Sequence, residues 1–372
     1  MIKRLYVDNY KSLVNFDCEF KAINLLLGVN GAGKSTVLDV LGRLRSVVAG
    51  DSPVSGFDAS TLTRWQKLNL QTFEIEIEGN GGLYAYHLEI EHQPLEQKNR
   101  IKMERISYDG KPLYRSELGE VQLFHDDHKE GPALSGDWSR SGLPFLGERP
   151  DNTKITWLKN WFAEKLICLR IDPFGMDNVA RGPELSLDDH ASNFVGWYRQ
   201  RVSTDMGATI ALYDLLKEMY DEFGGLTLEQ RGSDVQQLCV SLGVVENASG
   251  KREFAKYSFD ELSEGERCLI VLYALLRMLG DADVTVCIDE PDNFLALAEI
   301  QPWLLAVKEA VHSSSSQTLV ISHHPELIDY LAPECGIVFE RANNGPTRAR
   351  AFPSDSTDSS LSPSEVIARG WQ

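Results

Sequence analysis

The sequence of 372 residues predicts an α/β fold, and three observations lead to this prediction. Residues 23–27 form a short continuous apolar run, the pattern of a strand buried on both faces. A glycine-rich loop follows this run, and a helix is predicted over about residues 34–48. Further along the chain, a second apolar and β-branched run, residues 284–288, ends in two acidic residues. Buried strands that alternate with helices are typical of a sheet covered by helices.

Composition limits the class of protein. Hydrophobic residues make up 42% and charged residues 25%, which is the ordinary globular range and argues against a disordered chain or a fibre. The longest apolar run, residues 268–276, is much shorter than the roughly 20 residues that a membrane-spanning helix needs. Residues 1–7 read as a strand and lack the apolar stretch of a signal peptide. The six cysteines include no C-x-x-C pair, so we expect a cytoplasmic protein without a membrane partner.

Charge bears on the partners. With 37 Lys and Arg against 55 Asp and Glu, the net charge is −18, and the whole molecule should be repelled by nucleic acid. DNA binding would therefore need a local basic surface, for which Lys98, Arg100, Lys102 and Arg105 are the main candidates. Solvated side chains on a strand are the more ordinary explanation of that cluster, so DNA stays open as a partner.

The first half of the chain predicts mainly strands. The predicted strands are residues 2–7, 16–20, 72–78, 83–91 and 101–108. Gly79 to Gly82 supplies the turn of an antiparallel pair. Residues 49–65 and 115–150 are rich in polar and turn-forming residues, and both are predicted to be loops.

The second half predicts helices between strands. Apolar residues at helical spacing occupy 157–166, followed by a strand at 167–171. A helical segment is predicted over about 188–223, with Ser203 as a candidate cap and Gly224 and Gly225 as the stop. A strand at 235–242 follows.

The loop after the first buried strand is a full Walker A match, Gly28-x4-Gly33-Lys34-Ser35. Its glycines let the backbone curl so that N–H groups point at phosphate oxygens, and the following helix directs its positive end to the same place. Lys34 supplies a cation to the β- and γ-phosphates, and the Ser35 hydroxyl can bind Mg²⁺. A strand before the loop and a helix after it favour this interpretation over a simple connecting loop.

Asp289 and Glu290 follow the apolar run 284–288. An Asp at the end of a buried strand can hold Mg²⁺, and the Glu after it can deprotonate an attacking water. Two acids at a strand end are also common in turns, so the pair gains its meaning from the Walker A loop in the same chain.

Residues 262–267, Leu-Ser-Glu-Gly-Glu-Arg, open a strongly apolar helix. Ser263 followed three residues later by Glu266 is a capping box. This structural role and a functional one are compatible.

Taken together, these segments resemble ABC-type ATPases of the SMC, RecF and OLD-like branch, in particular small RecF-like AAA family ATPases. Residues 2–12 resemble the first strand and turn of that branch, 28–36 its Walker A loop, and 262–267 its signature motif. Residues 289–295 resemble its Walker B motif and D-loop, and 319–325 its switch strand, with His323 at the switch position.

The resemblance implies that two heads pack head to tail around two ATP molecules, with Mg²⁺ as the second cofactor. It implies three groups of site residues: ATP-binding Asn30, Gly31, Gly33, Lys34, Ser35, Thr36, Ser263, Gly265 and Glu266; Mg²⁺-binding Ser35, Asp289 and Gln71; and catalytic Glu290, His323 and Lys34. Ser263, Gly265 and Glu266 would act on the partner's nucleotide, and Asp292 and Asn293 would cross the interface. Both Gln66 and Gln71 could supply the glutamine near the metal; Gln71 is preferred because it starts a strand.

The implied fold is that of an ABC-ATPase head with a mixed central sheet, an antiparallel β-lobe and a helical lobe. We expect its N-terminal part at 1–184, a helical insertion at 185–230, its C-terminal part at 231–352 and a tail at 353–372. The Ser- and Asp-rich part of this tail, 353–363, is predicted to be mobile.

The expected function is ATP hydrolysis to ADP and phosphate by a protein that closes head to head, in DNA maintenance or antiphage defence beside an effector protein. One alternative is a nucleotide-dependent switch with little turnover that scaffolds or restrains a partner. The energising subunit of a transporter fits less well, because Lys34 and Ser263 lie far apart in the sequence.

Overall fold

The computed structural model describes residues 1–93, 98–220, 222–246, 251–278, 283–353 and 362–368. The chain divides into two compact units. The first comprises Met1–Cys168, Asp283–Cys287 and Ser315–Gln372, and the second comprises Leu169–Ala282 and Ile288–Ser314. Most of the predicted tail, 353–372, lies outside the described residues.

The first unit contains an eight-stranded antiparallel sheet. In spatial order its strands are β2 (Phe16–Glu19), β1 (Ile2–Asp8), β4 (Leu70–Gly79), β5 (Gly82–Gln93), β6 (Lys98–Tyr108), β7 (Lys111–Glu117), β8 (Glu120–Phe124) and β9 (Glu130–Ser135). Buried and less buried residues alternate along β4 and β5, as period-2 side chains require. This sheet is the predicted antiparallel β-lobe.

The prediction of loops over 115–150 was wrong for part of that segment, because the end of β7 and all of β8 and β9 lie there. Five of the six residues of β9 are exposed, so the strand has no alternating apolar pattern to read. Its backbone hydrogen bonds to β8 hold it in the sheet, and pairing of this kind leaves little trace in composition.

A six-stranded sheet carries the glycine-rich loop. Its spatial order is β10 (Leu166–Leu169), β15 (Thr285–Asp289), β16 (Gln317–Ile321), β3 (Ile23–Leu27), β17 (Gly336–Arg341) and β18 (Thr347–Ala351). Strand β3 is buried throughout and runs parallel to β16 and β17, whereas β18 is antiparallel to β17. The prediction of a mixed central sheet is confirmed.

The helices of the first unit are α1 (Lys34–Ala49), α2 (Thr153–Asn160), α7 (Pro325–Cys335) and α8 (Pro363–Ala368). A π-helical turn, Trp161–Lys165, extends α2. The apolar stripe of α1, which includes Val37, Leu41 and Leu44, is buried in the main hydrophobic core. Burial of this stripe fixes the end of α1 that faces the glycine-rich loop.

The second unit is the predicted helical lobe. Its helices are α3 (Phe194–Thr204), α4 (Met206–Met219), α5 (Glu264–Met278) and α6 (Leu297–Ser313). Its sheet consists of β11 (Val179–Ala180), β12 (Phe223–Gln230), β13 (Gln236–Glu246) and β14 (Arg252–Ser258).

The single helical segment predicted over 188–223 is two helices. Asp205, not Ser203, caps the second helix, since its carboxylate accepts a hydrogen bond from the Ala208 N–H at 2.9 Å. Ser203 Oγ instead donates to the Gln200 carbonyl within α3. Helix α4 ends at Met219, and Gly224 and Gly225 belong to β12 rather than to a helix stop.

All six cysteines are free and buried. Among the described residues, no helix combines the length and apolar character needed to cross a membrane.

Candidate functional site

The glycine-rich loop between β3 and α1 follows a path that only glycine can take at two points. Gly28 has φ of +143°, and a Cβ there would lie 2.3 Å from the Phe339 carbonyl oxygen. Gly33 has φ of +107°, and a Cβ there would lie 2.5 Å from Thr347 Oγ1. Both positions combine a left-handed backbone with a close neighbour, so a larger residue would displace the loop.

Side chains from distant parts of the chain support this loop. Buried Thr347 lies at the start of β18, and its Oγ1 is 2.8 Å from Ser12 Oγ and 2.9 Å from the Ala32 carbonyl oxygen. Arg341 at the end of β17 donates from Nη1 to the Gly31 carbonyl at 3.1 Å. The loop therefore has a fixed backbone held from behind.

Lys34 is 5% exposed, and its ammonium donates to the Gly28 carbonyl at 2.7 Å and to the Val29 carbonyl at 3.3 Å. The first turn of α1 contains no acidic residue, and its N-cap is Gly33, which has no side chain to cap the helix. The uncapped N–H groups, the helix dipole and the lysine all favour an anion at this position. Asn30, Gly31 and Ser35 are exposed at the mouth of the loop, and Thr36 is half-buried.

The two glutamines have opposite surroundings. Gln71 on β4 is fully buried, its Nε2 donates to the Asn9 carbonyl at 3.0 Å, and its Oε1 lies 2.9 Å from His92 Nε2. Gln66 lies in the segment before β4, and its Oε1 is buried without a hydrogen-bond partner.

A buried acceptor left unsatisfied costs about 1–3 kcal/mol, a cost that binding of a cation would remove. Gln71 therefore has both ends of its amide engaged by neighbouring residues, whereas the Gln66 oxygen has no hydrogen-bond partner.

The two histidines after β16 differ as well. His323 is exposed. His324 caps α7, since its Nδ1 accepts a hydrogen bond from the Glu326 N–H at 3.2 Å. This contact gives His324 a structural role and leaves His323 as the candidate for the switch position.

In the second unit, the start of α5 has the predicted capping box. Glu266 Oε2 accepts from the Ser263 N–H and from Ser263 Oγ, both at 2.8 Å, and the Glu266 N–H donates to Ser263 Oγ at 3.3 Å. The Glu266 carboxylate thus occupies the backbone and hydroxyl donors of Ser263, the residue directly before the signature helix.

Gly265 has a reason to be glycine within this unit. A Cβ at this position would lie 2.7 Å from the Phe294 carbonyl oxygen. The Phe294 ring in turn packs edge-to-face on Phe174, at 5.9 Å between ring centroids. The signature segment and the predicted D-loop are therefore in close backbone contact.

The acidic pair lies at the end of β15. Asp289 is buried. Glu290 is half-buried with φ of +51°, an uncommon conformation for a residue other than glycine, and its Oε2 accepts from Asn293 Nδ2 at 2.9 Å. Strained residues of this kind concentrate at functional sites, which agrees with the role predicted for Glu290.

The described part of the predicted basic cluster is largely neutralised. Arg100 pairs with Glu91 at 2.7 Å, and Lys102 pairs with Glu89 at 3.1 Å. These carboxylates lie on the neighbouring strand β5, so the surface offers less free positive charge than the sequence indicates.

Sequence reasoning missed the support of the glycine-rich loop by Thr347 and Arg341. Both lie more than 300 residues from the loop. Periodicity and capping patterns carry no information on such contacts, and only the position of β17 beside β3 reveals them.

The sequence matches a known protein family over most of its length. Residues 23–329 match a protein family described as "AAA domain, putative AbiEii toxin, Type IV TA system". No curated protein matches the sequence.

Two solved structures share the fold. One is an SMC head bound to the C-winged helix domain of ScpA. It is 13% identical in sequence, the match covers 94% of this chain and 98% of the SMC head chain, and the TM-score is 0.55. The other is an SMC head domain with an extended coiled coil, bound to the C-terminal domain of ScpA derived from Pyrococcus furiosus. It is 11% identical, covers 96% and 98% of the two chains, and has a TM-score of 0.53. At these identities the likeness concerns the fold.

Proposed function

The chain belongs to this family of AAA domains and is an ABC-type ATPase of the RecF/SMC branch, and from this premise we propose that it hydrolyses ATP while two copies close head to head. The glycine-rich loop is the observation that carries the proposal. Lys34 is buried against it, two of its glycines are held in place by neighbouring residues, and the first turn of α1 carries no acidic residue. This arrangement suits a polyphosphate.

In the proposed mechanism, the backbone N–H groups of the loop and the Lys34 ammonium bind the β- and γ-phosphates, with Asn30 and Thr36 beside them. Ser35, Asp289 and Gln66 would hold Mg²⁺, and the unpartnered Gln66 oxygen fits a hard cation that prefers oxygen ligands. Bound Mg²⁺ would neutralise charge that develops on the phosphates. In this proposal Gln66 takes the place of Gln71, whose amide is hydrogen-bonded to Asn9 and His92.

Glu290 is the proposed general base. Its Oε2 is oriented by the Asn293 amide, and the other carboxylate oxygen can take a proton from water. His323 would contact the γ-phosphate. Roles for Ser263, Gly265 and Glu266 at the nucleotide of a second copy come from the family resemblance.

The partner is proposed on weaker grounds. The two SMC head structures hold a domain of ScpA, and we propose that this chain also acts with an effector protein, in DNA maintenance or antiphage defence. The ion pairs of Arg100 and Lys102 disfavour that surface as a DNA site.

The test is the mass of the Glu290→Gln protein by light scattering, with and without Mg·ATP. Loss of the general base should slow hydrolysis by about 10²–10⁴ and retain nucleotide, so the mass should double with ATP. Glu309→Gln, an exposed position on α6, is the control and should hydrolyse ATP normally.

A Glu290→Gln protein that stays monomeric with bound ATP would contradict closure of two copies. A mass that is already dimeric or larger without ATP would mean that assembly depends on other contacts, with ATP changing the shape within it.

The alternative function, a switch with little turnover, is favoured by one contact. Glu266 already occupies the Ser263 donors that would face the γ-phosphate. Steady-state phosphate release separates the two functions: an ATPase should reach the ordinary range of about 1–10³ s⁻¹, and a switch should remain far below it while binding ATP.

A further inference from the structure

The Arg341 side chain connects the phosphate loop to a distant turn. Nη1 donates to the Gly31 carbonyl at 3.1 Å, Nη2 to the Asn344 carbonyl at 2.8 Å and Nε to the Gly345 carbonyl at 2.9 Å. Asn344 and Gly345 form the turn between β17 and β18. A planar guanidinium can make three such bonds at once, which a lysine ammonium cannot reproduce in the same geometry.

The same guanidinium reaches a third segment. Its central carbon lies 5.7 Å from the centroid of the Trp65 ring, within the range of a cation–π contact. Trp65 is 47% exposed, so the contact leaves nearly half of the side chain in solvent. The next residue is Gln66, whose N–H donates to the Thr63 carbonyl at 3.1 Å in a turn and whose Oε1 has no partner.

We propose that Arg341 is a positioning residue that holds the Trp65–Gln66 segment against the phosphate loop and so presents the Gln66 oxygen to Mg²⁺. The inference rests on the proposed nucleotide site and adds to it a residue outside the Walker, signature and switch motifs. The neighbouring Arg350 pairs with the Glu340 carboxylate at 2.7 Å on the surface of the same hairpin. Arg341 instead donates to backbone carbonyls of two loops, as expected of a residue that holds those loops in place.

The experiment measures how much Mg²⁺ is needed for half-maximal ATP binding. Binding is followed by calorimetry and by tryptophan fluorescence, and the Trp65→Phe protein identifies the part of the fluorescence change that comes from Trp65. The variants are Arg341→Ala, Arg341→Lys, Gln66→Ala and the double variant of Arg341→Ala with Gln66→Ala. Arg350→Ala is the matched control, and thermal unfolding checks that each variant folds.

We expect Arg341→Ala and Arg341→Lys each to raise the half-maximal Mg²⁺ concentration by about tenfold, the size seen when a residue that orients a metal ligand is lost. Gln66→Ala should have an effect at least as large. The double variant should be no worse than Gln66→Ala alone, because Arg341 acts through Gln66. Arg350→Ala should match the unsubstituted protein.

Two results overturn the inference. If Arg341→Ala leaves the Mg²⁺ requirement unchanged, or if its effect adds fully to that of Gln66→Ala, Arg341 does not position Gln66. If the unsubstituted protein binds no ATP at any Mg²⁺ concentration, the proposed function fails as well, so the two failures are distinguishable.

Discussion

The helices α1 and α5 both begin at a motif expected to face phosphate, yet their N-termini have opposite charge. The first turn of α1 contains Lys34 and no acidic residue, and its cap is a glycine without a side-chain hydrogen bond. The first turn of α5 contains Glu264 and Glu266, and Glu266 bonds to Ser263. The first helix start is open to an external anion, whereas at the second the Ser263 donors are occupied by a carboxylate of the same chain.

This difference predicts the order in which the two helix starts contact nucleotide. An uncapped helix start has orphan N–H donors, which a phosphate can satisfy without displacing any side chain. At α5, an incoming phosphate must displace the Glu266 carboxylate or accept its repulsion. The chain should therefore bind nucleotide through α1 first, and contact through α5 should be the weaker, adjustable step.

The strongest test of this difference is Lys34→Ala. We expect ATP affinity to fall by about ten- to hundredfold, because a hydrogen bond to a charged group contributes roughly 1.5–3 kcal/mol. Calorimetric titration with Mg·ATP measures the effect. Lys21→Ala is the control, because Lys21 donates to the Glu334 carbonyl in the same unit; a Lys34→Ala protein of normal affinity would remove α1 from the nucleotide site.

Ser263→Arg tests the other helix start. We expect ATP binding to remain and phosphate release to fall by about 10²–10³, as when one donor to a reacting oxyanion is removed. Phosphate release and calorimetry on the same sample separate the two quantities. The same substitution at Ser233, an exposed position of this unit, should leave both unchanged, and equal losses of binding and turnover in Ser263→Arg would contradict the order of events.

Gly265→Ala tests a feature that the two helix starts share, a glycine pressed against a neighbour. Because a Cβ would lie 2.7 Å from the Phe294 carbonyl oxygen, we expect a loss of about 1–3 kcal/mol in the free energy of unfolding, the usual cost of overpacking. Urea unfolding measures it. A Cβ at Gly182 would meet nothing within 4 Å, so Gly182→Ala should be close to neutral, and a neutral Gly265→Ala would show that the D-loop backbone moves freely.

The smallest effect is expected for Glu266→Gln, which keeps an oxygen acceptor for Ser263 but removes the charge. We expect ATP-dependent association to strengthen severalfold at low salt and the gain to shrink above about 0.15 M salt, where the Debye length is about 8 Å. Light scattering over a range of protein and salt concentrations measures it. Unchanged or weaker association would show that the charge of Glu266 does not oppose the phosphate of a second copy.

Much of this architecture is readable from local patterns. The buried strand β3, helix α1, the capping box of Ser263 and the strand that ends at Asp289 all agree with their predicted positions. Each of these features depends on residues a few positions apart, whose side chains repeat with the period of a helix or strand or cap a helix end.

Other features depended on neighbours that are distant in sequence. The exposed strand β9 is held by pairing with β8. The Gln71 amide is hydrogen-bonded to Asn9 and His92, whereas the Gln66 oxygen has no hydrogen-bond partner. Arg341 and Thr347 support a loop more than 300 residues away. The sequence by itself determined the phosphate-binding chemistry, because the residues of the glycine-rich loop, 28–36, are contiguous in the chain. Only the tertiary structure decided which side chains support and complete the site, because packing of separate strands brings them there.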